Sequence, residues 1–206
     1  MEPVLVTERL VLRAFTPDDV DGLLALDGDP EVMRFLERHI KTRAEVEADI
    51  LSTLLESQEN DTGLWRLAAD TRADGEFIGW FGLRPVRPDA GAMVHWQSGL
   101  DETRTAELGY RLRRSAWGRG YATEGTRALV VRAFAELRLA ELVATTMAVN
   151  VRSRRVMEKA GLRYARTVHV TWDDPLDGTE QGEVEYRLRR ADWTKIGTTV
   201  QRETAT

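Results

Sequence analysis

The sequence predicts an α/β protein with one mixed sheet, and the two halves of the chain contribute to this prediction differently. In the first half, alternating apolar residues predict strands that pair as antiparallel neighbours, with a turn at Asp74–Gly75. In the second half, a strand leads through a glycine-containing turn into a long amphipathic helix and then into another strand. This β-α-β order pairs strands in parallel, so the sheet is mixed and mostly antiparallel. The predicted strands are 5–14, 64–70, 76–84, 106–113, 141–149, 162–172 and 183–190.

Three helix starts are predicted between the first two strands, each at a capping residue. Thr16 precedes Pro17, which suits the first helical position, and Asp29–Pro30 repeats that arrangement. Thr42 followed by Glu45 has the spacing of a capping box. The residues expected to face the core from these helices are Val20, Leu23, Leu24, Val32, Met33, Phe35, Leu36, Val46, Ile50, Leu51, Leu54 and Leu55.

Two further helices flank the strand predicted at 141–149. The first begins directly after the glycine turn, and Asn150 is placed to cap the second, at 151–160. Apolar residues recur at helical spacing along the first helix, so one of its faces is expected to pack on the sheet. That face consists of Ala122, Thr126, Leu129, Val130, Ala133, Phe134 and Leu137.

Length and composition restrict the class of protein. A chain of 206 residues with 42% hydrophobic residues suits one domain, which we place at 1–193, followed by a polar tail at 194–206. The absence of cysteine excludes disulfides and thiolate chemistry, and the net charge of −5 argues against nucleic-acid binding. Without an apolar run long enough to span a membrane and without a signal-peptide pattern, we expect a cytoplasmic protein. His39, His95 and His169 lack metal-ligand spacing, so no metal is expected.

The clearest functional pattern is the turn that precedes the long helix, W-G-R-G-Y-A at 117–122. Gly118 and Gly120 permit positive φ and let a ligand approach the backbone closely. Because a helix starts there, unpaired N–H groups and the positive end of the helix dipole converge on the same point, which favours a phosphate. A turn that serves only packing has the same pattern, so the motif alone leaves both interpretations open.

Three ordered motifs together resemble the GNAT superfamily of N-acetyltransferases. Ser115–Gly120 resembles its (Q/R)-x-x-G-x-(G/A) loop, with Ser115 in place of the usual glutamine or arginine, and Trp117–Glu124 resembles the Rim-type branch that acetylates ribosomal-protein N-termini. The segment T-E-R-L-V-L-R at Thr7–Arg13 is similar to the opening strand of that branch, and Asn150–Leu162 to its N-x-x-S-x-x-V-M segment. The resemblance implies a sheet whose fourth and fifth strands splay apart around the cofactor.

The resemblance further implies that acetyl-CoA is the co-substrate and that its pyrophosphate lies over the glycine turn. Arginines around the turn would neutralise phosphate charge, and Asn150 would serve as a helix cap, as a contact to the cofactor arm, or as both. The residues assigned to cofactor binding are Leu112, Arg113, Arg114, Trp117, Gly118, Arg119, Gly120, Tyr121, Ala122, Thr123, Asn150 and Ser153.

The catalytic candidates are Glu107, Tyr110 and Ser153. Strand alternation sets Glu107 on the face opposite Tyr110, where it could accept a proton from an ammonium group, although a bulge in this strand would change that placement. Many relatives carry a tyrosine where this chain has Met157, and that tyrosine protonates the leaving thiolate. Methionine cannot do so, which leaves Ser153, Tyr110 or water as the proton donor.

The expected reaction is acetyl transfer to a primary amine in a ternary complex, because the chain has no cysteine to form an acyl-enzyme. A peptide or protein N-terminus is the favoured acceptor, a small amine such as an amino acid, polyamine or antibiotic is the alternative, and a catalytically weak acyl-CoA-binding regulatory module is a third. The acidic stretch at 173–185 is either a solvated hairpin or, if it overhangs the cleft, an attractor of protonated amines. Partners other than the amine are not expected, except that a homodimer stays open.

Overall fold

The computed structural model describes residues 3–59, 65–87, 95–96 and 104–193, and within them nine strands form one sheet. The strands are β1 (Leu5–Val6), β2 (Leu10–Arg13), β3 (Arg66–Thr71), β4 (Phe77–Arg87), β5 (His95–Trp96), β6 (Thr105–Leu112), β7 (Glu141–Met147), β8 (Arg163–Val168) and β9 (Glu183–Arg189). Their order is β1-β2-β3-β4-β6-β7-β9-β8, and β5 pairs with β4. The predicted tail at 194–206 lies outside the described residues.

The sheet is mixed because β6 and β7 run in parallel while the other pairs are antiparallel. Parallel pairing joins only Thr105–Glu107 to Glu141–Val143, although β6 continues to Leu112 and β7 to Met147. Beyond Glu107 the two strands therefore part, and the prediction of a mixed, mostly antiparallel sheet with splayed central strands is confirmed.

Helices cover both faces of this sheet. They are α1 (Val20–Asp27), α2 (Pro30–Met33), α3 (Arg43–Glu59), α4 (Tyr121–Val131) and α5 (Val151–Lys159). On the face that we call the α1 face, Leu23 and Leu26 of α1 join Val46 and Ile50 of α3 in one buried cluster. The opposite, α4 face holds the larger cluster, which includes Leu129 and Val130 of α4, Met157 of α5, and Phe81, Leu108 and Leu112 of the sheet.

The helix starts follow the predicted caps. Thr16 and Asp19 form a capping box, although the first turn, Pro17–Asp19, is a 3-10 turn that leads into α1. The backbone N–H and hydroxyl of Thr42 both donate to Glu45 Oε2, at 2.7 and 2.8 Å. Asn150 Oδ1 accepts from the N–H of Ser153 at 3.2 Å. These side chains form hydrogen bonds with backbone groups that would otherwise lack partners at a helix end.

Two predicted strands have different bounds. The strand predicted at 5–14 is a hairpin of β1 and β2, because the N–H of Thr7 donates to the carbonyl of Leu10 at 2.9 Å and turns the chain. Apolar alternation continues through this turn, so periodicity did not reveal it. The strand predicted at 162–172 ends at Val168, which is the last residue of β8 that pairs with β9. The helix predicted after Asp29 stops at Met33, and Leu36 is 50% exposed.

Helix α4 lies so close to the sheet that Gly125 has no room for a side chain. A Cβ at Gly125 would lie 2.3 Å from Cζ of Phe81. Gly125→Ala should therefore lower the free energy of unfolding by about 1–3 kcal/mol, the usual cost of overpacking, although alanine is the better helix former by about 1 kcal/mol. Urea denaturation measures this change. Phe81→Leu in the same chain should recover part of the loss, and an unchanged or higher midpoint for Gly125→Ala would contradict the contact.

Candidate active site

The site begins where β6 and β7 part. Residues of β6 and β4 pair in an unbroken register from Leu112 with Gly79 to Ala106 with Pro85, so β6 has no bulge. Its side chains alternate regularly, and Leu108 and Leu112 join the α4-face core. Glu107, Gly109 and Arg111 consequently project on the α1 face. Among the described residues, the edge of β6 that faces β7 has no strand partner beyond Glu107.

The glycine turn lies at the carboxyl end of β6. Gly118 and Gly120 have φ values of 73° and 85°, in the region that favours glycine, and α4 begins at Tyr121. Within the part of the chain that the structure describes, the backbone N–H groups of 118–123 meet no acceptor. A Cβ at Gly118 would meet nothing within 4 Å, so the backbone is open to a ligand there. This turn has the free donors and the space that a pyrophosphate requires.

The hairpin of β1 and β2 braces this turn through Arg9. The guanidinium donates through Nη1 to the carbonyl of Arg119 at 2.9 Å and through Nε to Glu124 Oε2 at 2.7 Å. It also lies over the ring of Tyr121, 4.7 Å from the centroid. Thr7 Oγ1 donates to the same carboxylate at 2.6 Å. From the sequence, Thr7–Arg13 is predicted only as a strand motif. Arg9 and Glu124 are oppositely charged and lie in two of the matched motifs, which is the one signal in the sequence for this contact.

The other predicted arginines divide between two places. Arg119 remains at the turn, with its guanidinium 5.1 Å from the Tyr121 ring centroid. Arg113 and Arg114 turn toward carboxylates of other elements, Glu76 and Asp29, each at 3.6 Å. Any contact of Arg113 or Arg114 with a phosphate would thus compete with an ion pair that is already present.

Trp117 and the start of α4 complete the wall of the turn. The indole N–H of Trp117 donates to the carbonyl of Leu112 at 2.8 Å, which fixes the turn to the end of β6. Arg152, which the sequence reasoning did not select, lies over the Trp117 ring at 5.2 Å. Ala122 and Thr123 occupy the first turn of α4, where the free N–H groups are.

Tyr110 and Ser153 meet on the α4 face. The Tyr110 hydroxyl lies 2.9 Å from Ser153 Oγ and donates to the carbonyl of Ser153 at 3.1 Å. Burial raises the pKa of Tyr110 to about 12, so its hydroxyl keeps its proton at neutral pH. Met157, where the family resemblance implies a tyrosine as proton donor, is only 2% exposed and belongs to the core.

Glu107 lies on the other face, at the point where the strands part. Thr145 Oγ1 donates to Glu107 Oε1 at 3.0 Å and so orients one carboxylate oxygen from β7. The structure brings Tyr110 and Ser153 together and separates both from Glu107 by the thickness of the sheet. A proton acceptor on one face and hydroxyl donors on the other can serve two reactants that enter the same opening from opposite sides.

The acidic stretch is not uniformly solvated, which corrects the expectation of a simple solvated hairpin. Glu185 is 2% exposed and accepts from Arg166 and Arg187. Asp174 and Asp177 are exposed instead, and both pair with Arg38, which also donates to the carbonyl of Pro175 at 3.0 Å. Arg38 thus joins the segment after α2 to the loop after β8.

Glu183 is a half-buried carboxylate on β9, opposite Met147 of β7. Burial raises its pKa from 4.5 to about 7 because the charged form loses hydration. The sequence placed it in the acidic stretch without distinguishing it from its solvated neighbours.

This shifted pKa predicts a pH-dependent stability. Since folding favours the protonated form of Glu183, the stabilisation is complete below about pH 4.5 and is lost as the pH rises through about 7. Glu183→Gln, which cannot ionise, should exceed the wild type in stability at pH 8 by on the order of 1–2 kcal/mol, and the difference should disappear near pH 4.5. Thermal unfolding at both pH values tests this, and an equal difference at both would contradict the assignment.

The part of the chain that the structure describes contains neither a candidate metal site nor a candidate membrane-spanning helix. Its His, Asp and Glu side chains do not gather in groups of three that could hold a metal ion. Its helices are too short or too polar to cross a membrane.

Comparisons with known proteins agree with this geometry. Residues 9–163 match the acetyltransferase (GNAT) domain. The FsC-acetyl coenzyme A-N(2)-transacetylase of Aspergillus fumigatus is 33% identical over 195 residues, which cover 95% of this chain and 80% of that protein.

Two solved structures have a similar fold at low identity. The ribosomal L7/L12 alpha-N-protein acetyltransferase RimL, in complex with coenzyme A, superposes with a TM-score of 0.70 at 18% identity, over 91% of this chain and 98% of that one. The spermidine N-acetyltransferase of Vibrio cholerae, in complex with CoA and spermine, superposes with a TM-score of 0.68 at 17% identity, over 91% and 99%. The family match and the fungal relative together show that this chain is an acetyltransferase of the GNAT family.

Proposed function

We propose that this enzyme transfers the acetyl group of acetyl-CoA to a primary amine by direct attack in a ternary complex. The observation that carries the proposal is the opening between β6 and β7, which has Glu107 on one face and the Tyr110–Ser153 pair on the other. The glycine turn with free N–H groups lies at the end of the same strand. An enzyme that uses both substrates at once requires these three features at one place.

The glycine turn is proposed as the pyrophosphate site. The N–H groups of 118–123 would donate to phosphate oxygens, and Arg119 and the dipole of α4 would add positive charge. Arg9 holds the carbonyl of Arg119 and the side chain of Glu124, so it keeps the turn open in the geometry that the donors need. We extend the cofactor-binding role to Leu112, Asn150 and Ser153 on the walls of the opening.

Glu107 is proposed as the base. It would take a proton from the acceptor ammonium, and the free amine would then attack the carbonyl carbon of the thioester. The C–N bond forms to give a tetrahedral oxyanion, and the C–S bond then breaks. The nitrogen gives its second proton to solvent, and the leaving sulfur takes a proton from Tyr110, Ser153 or water. Unpaired N–H groups on the β7-facing edge of β6 are available to hold the oxyanion, a stabilisation worth about 3–4 kcal/mol where one donor has been removed.

The proposed acceptor is one of two kinds of amine. A peptide N-terminus is our first candidate, because the segments 87–104 and 173–183 are polar and rich in turn formers, unlike a compact pocket lid, although most of 87–104 lies outside the described residues. The second candidate is a small-molecule amine. It is favoured by the similarity to the fungal N(2)-transacetylase. For a small amine, we propose that the contacts of Arg38 with Asp174 and Asp177 bound one side of the opening.

The first prediction of this proposal concerns the turn. Gly120→Val places a branched side chain at a φ of 85°, with its Cβ 3.2 Å from Nη2 of Arg9. The affinity for acetyl-CoA should fall at least tenfold by calorimetry, because both the loop and its brace must shift. Ser52→Val, on the exposed side of α3, serves as a control that should bind normally. Unchanged affinity for Gly120→Val would remove the pyrophosphate from this turn.

A second prediction concerns proton removal. Glu107→Gln keeps the hydrogen bond from Thr145 but cannot accept a proton, so turnover should fall most at low pH, where free amine is scarce. The KM for acetyl-CoA should barely change. Glu183→Gln is the matched control, because it neutralises another half-buried carboxylate of the same face. If the pH–rate profile of Glu107→Gln followed that of the wild type, Glu107 would not be the base.

A third prediction separates the two acceptor candidates. For a peptide acceptor, kcat/KM should be higher for a tetrapeptide than for the free amino acid that begins it, across several such pairs. Arg38→Ala opens the boundary formed with Asp174 and Asp177, and it should raise the KM of a small amine several-fold without affecting that of acetyl-CoA. Higher kcat/KM for the free amino acids throughout would reject the peptide acceptor.

A further inference from the structure

Besides Glu107, β6 has a second charged side chain on the α1 face, that of Arg111. It lies two positions beyond Gly109 on the α1 face, past the point where β6 and β7 part. Its Nη1 is 2.5 Å from Asp27 Oδ1 at the end of α1, and the two side chains are 15% and 9% exposed. A nearly buried pair of this kind keeps the guanidinium in one orientation.

The other edge of this guanidinium has no acceptor. Nε is buried without a hydrogen-bond partner, and Nη2 meets none among the residues that the structure describes. Nε and Nη2 form the parallel pair of donors that grips one carboxylate. Three other arginines of this chain use their Nε–Nη2 edge to bind a carboxylate. Arg9 binds Glu124, Arg13 binds Asp70 and Arg166 binds Glu185 in this way. A buried donor without an acceptor, as at Nε, costs free energy, which a bound oxygen ligand would recover.

The ring of Trp80 lies between the guanidinium of Arg111 and the proposed base, Glu107. Its ring lies over Gly109, where an added Cβ would be 3.5 Å from the ring, and Gly109 stands between Glu107 and Arg111 on the same face of β6. The guanidinium of Arg111 is 5.6 Å from the Trp80 ring centroid, and that of Arg66 is 5.7 Å from it. One end of this aromatic surface is therefore anionic and the other cationic, which suits a ligand of the opposite polarity.

From this arrangement we infer that the acceptor carries a carboxylate or carbonyl group, bound by the free edge of Arg111, in addition to the amine that faces Glu107. The inference rests on the proposed function of the opening. Arg111 lies four positions after Glu107 along the strand, which is about 13 Å between their Cα atoms. With the ends of the two side chains at the spacing of their Cα atoms, two hydrogen bonds of about 3 Å each leave roughly 7 Å between the amine nitrogen and the oxygen group of the acceptor. A dipeptide or an amino acid with a longer carbon chain spans this distance, whereas an α-amino acid is too short.

Matched amines test the inference with the full-length enzyme. We compare kcat/KM for 5-aminopentanoate, pentylamine and 1,5-diaminopentane, and for glycylglycine against glycine, using acetyl-CoA as donor. The wild type should prefer 5-aminopentanoate to both carbon-matched amines, and glycylglycine to glycine, by tenfold or more. Arg111→Lys retains the charge beside Asp27 but loses the paired donors, so the carboxylate preference should fall at least tenfold through the KM of the carboxylate acceptor.

Arg127→Lys is the matched control, because the same edge of Arg127 holds the carbonyl of Lys159 on the exposed side of α4. Its acceptor preference should equal that of the wild type. Equal kcat/KM for the carbon-matched amines in the wild type, or an undiminished preference in Arg111→Lys, would overturn the inference and leave the proposed function intact. Transfer to none of these amines or to the tetrapeptides by the wild type would overturn both.

Discussion

The functional part of this molecule depends on one interruption of hydrogen bonding. Parallel pairing of β6 with β7 stops after three residue pairs, although both strands continue. The unpaired edges would be costly if they were buried without partners, so the opening between them is a place for a ligand with polar groups. Everything proposed for catalysis lies along those edges or directly on either face of them.

Packing on the two faces keeps the strands apart. On the α4 face, Gly125 lets α4 sit against Phe81, and the Tyr110 hydroxyl reaches Ser153 on α5. On the α1 face, Asp27 holds Arg111, and Trp80 covers Gly109. Arg9 then secures the turn at the end of the opening by hydrogen bonds to the backbone of Arg119 and to Glu124. These contacts on the two faces hold both halves of the sheet in place, so the space between β6 and β7 does not need to be filled by the protein itself.

The sequence predicted the parts of the fold that depend on local rules. The caps at Thr16, Thr42 and Asn150 and the glycine turn were visible because each uses neighbouring residues. The hairpin turn after β1 was missed because apolar alternation continues through it. The mixed sheet with parted central strands could be predicted from the β-α-β order and the family resemblance, but not from periodicity alone.

The sequence predicted which residues belong to the candidate site better than it predicted which residues they contact. The alternation of β6 placed Glu107 opposite Tyr110, and the regular pairing with β4 agrees with that placement. The contacts of Arg9 with Glu124 and of Arg111 with Asp27 join residues 115 and 84 positions apart, and no local pattern encodes them. The burial of Glu185 and Glu183 within an acidic stretch depends on tertiary packing in the same way.

The central claim is that the reactive end of acetyl-CoA enters the opening between β6 and β7. Because the chain has no cysteine, Ser153→Cys provides a single thiol on the wall of that opening. A saturating concentration of a CoA analogue that lacks the thiol should slow maleimide labelling of the Ser153→Cys variant at least tenfold. The control is Glu136→Cys, after α4, which should be labelled at an unchanged rate. Equal labelling at position 153 with and without the analogue would contradict the account.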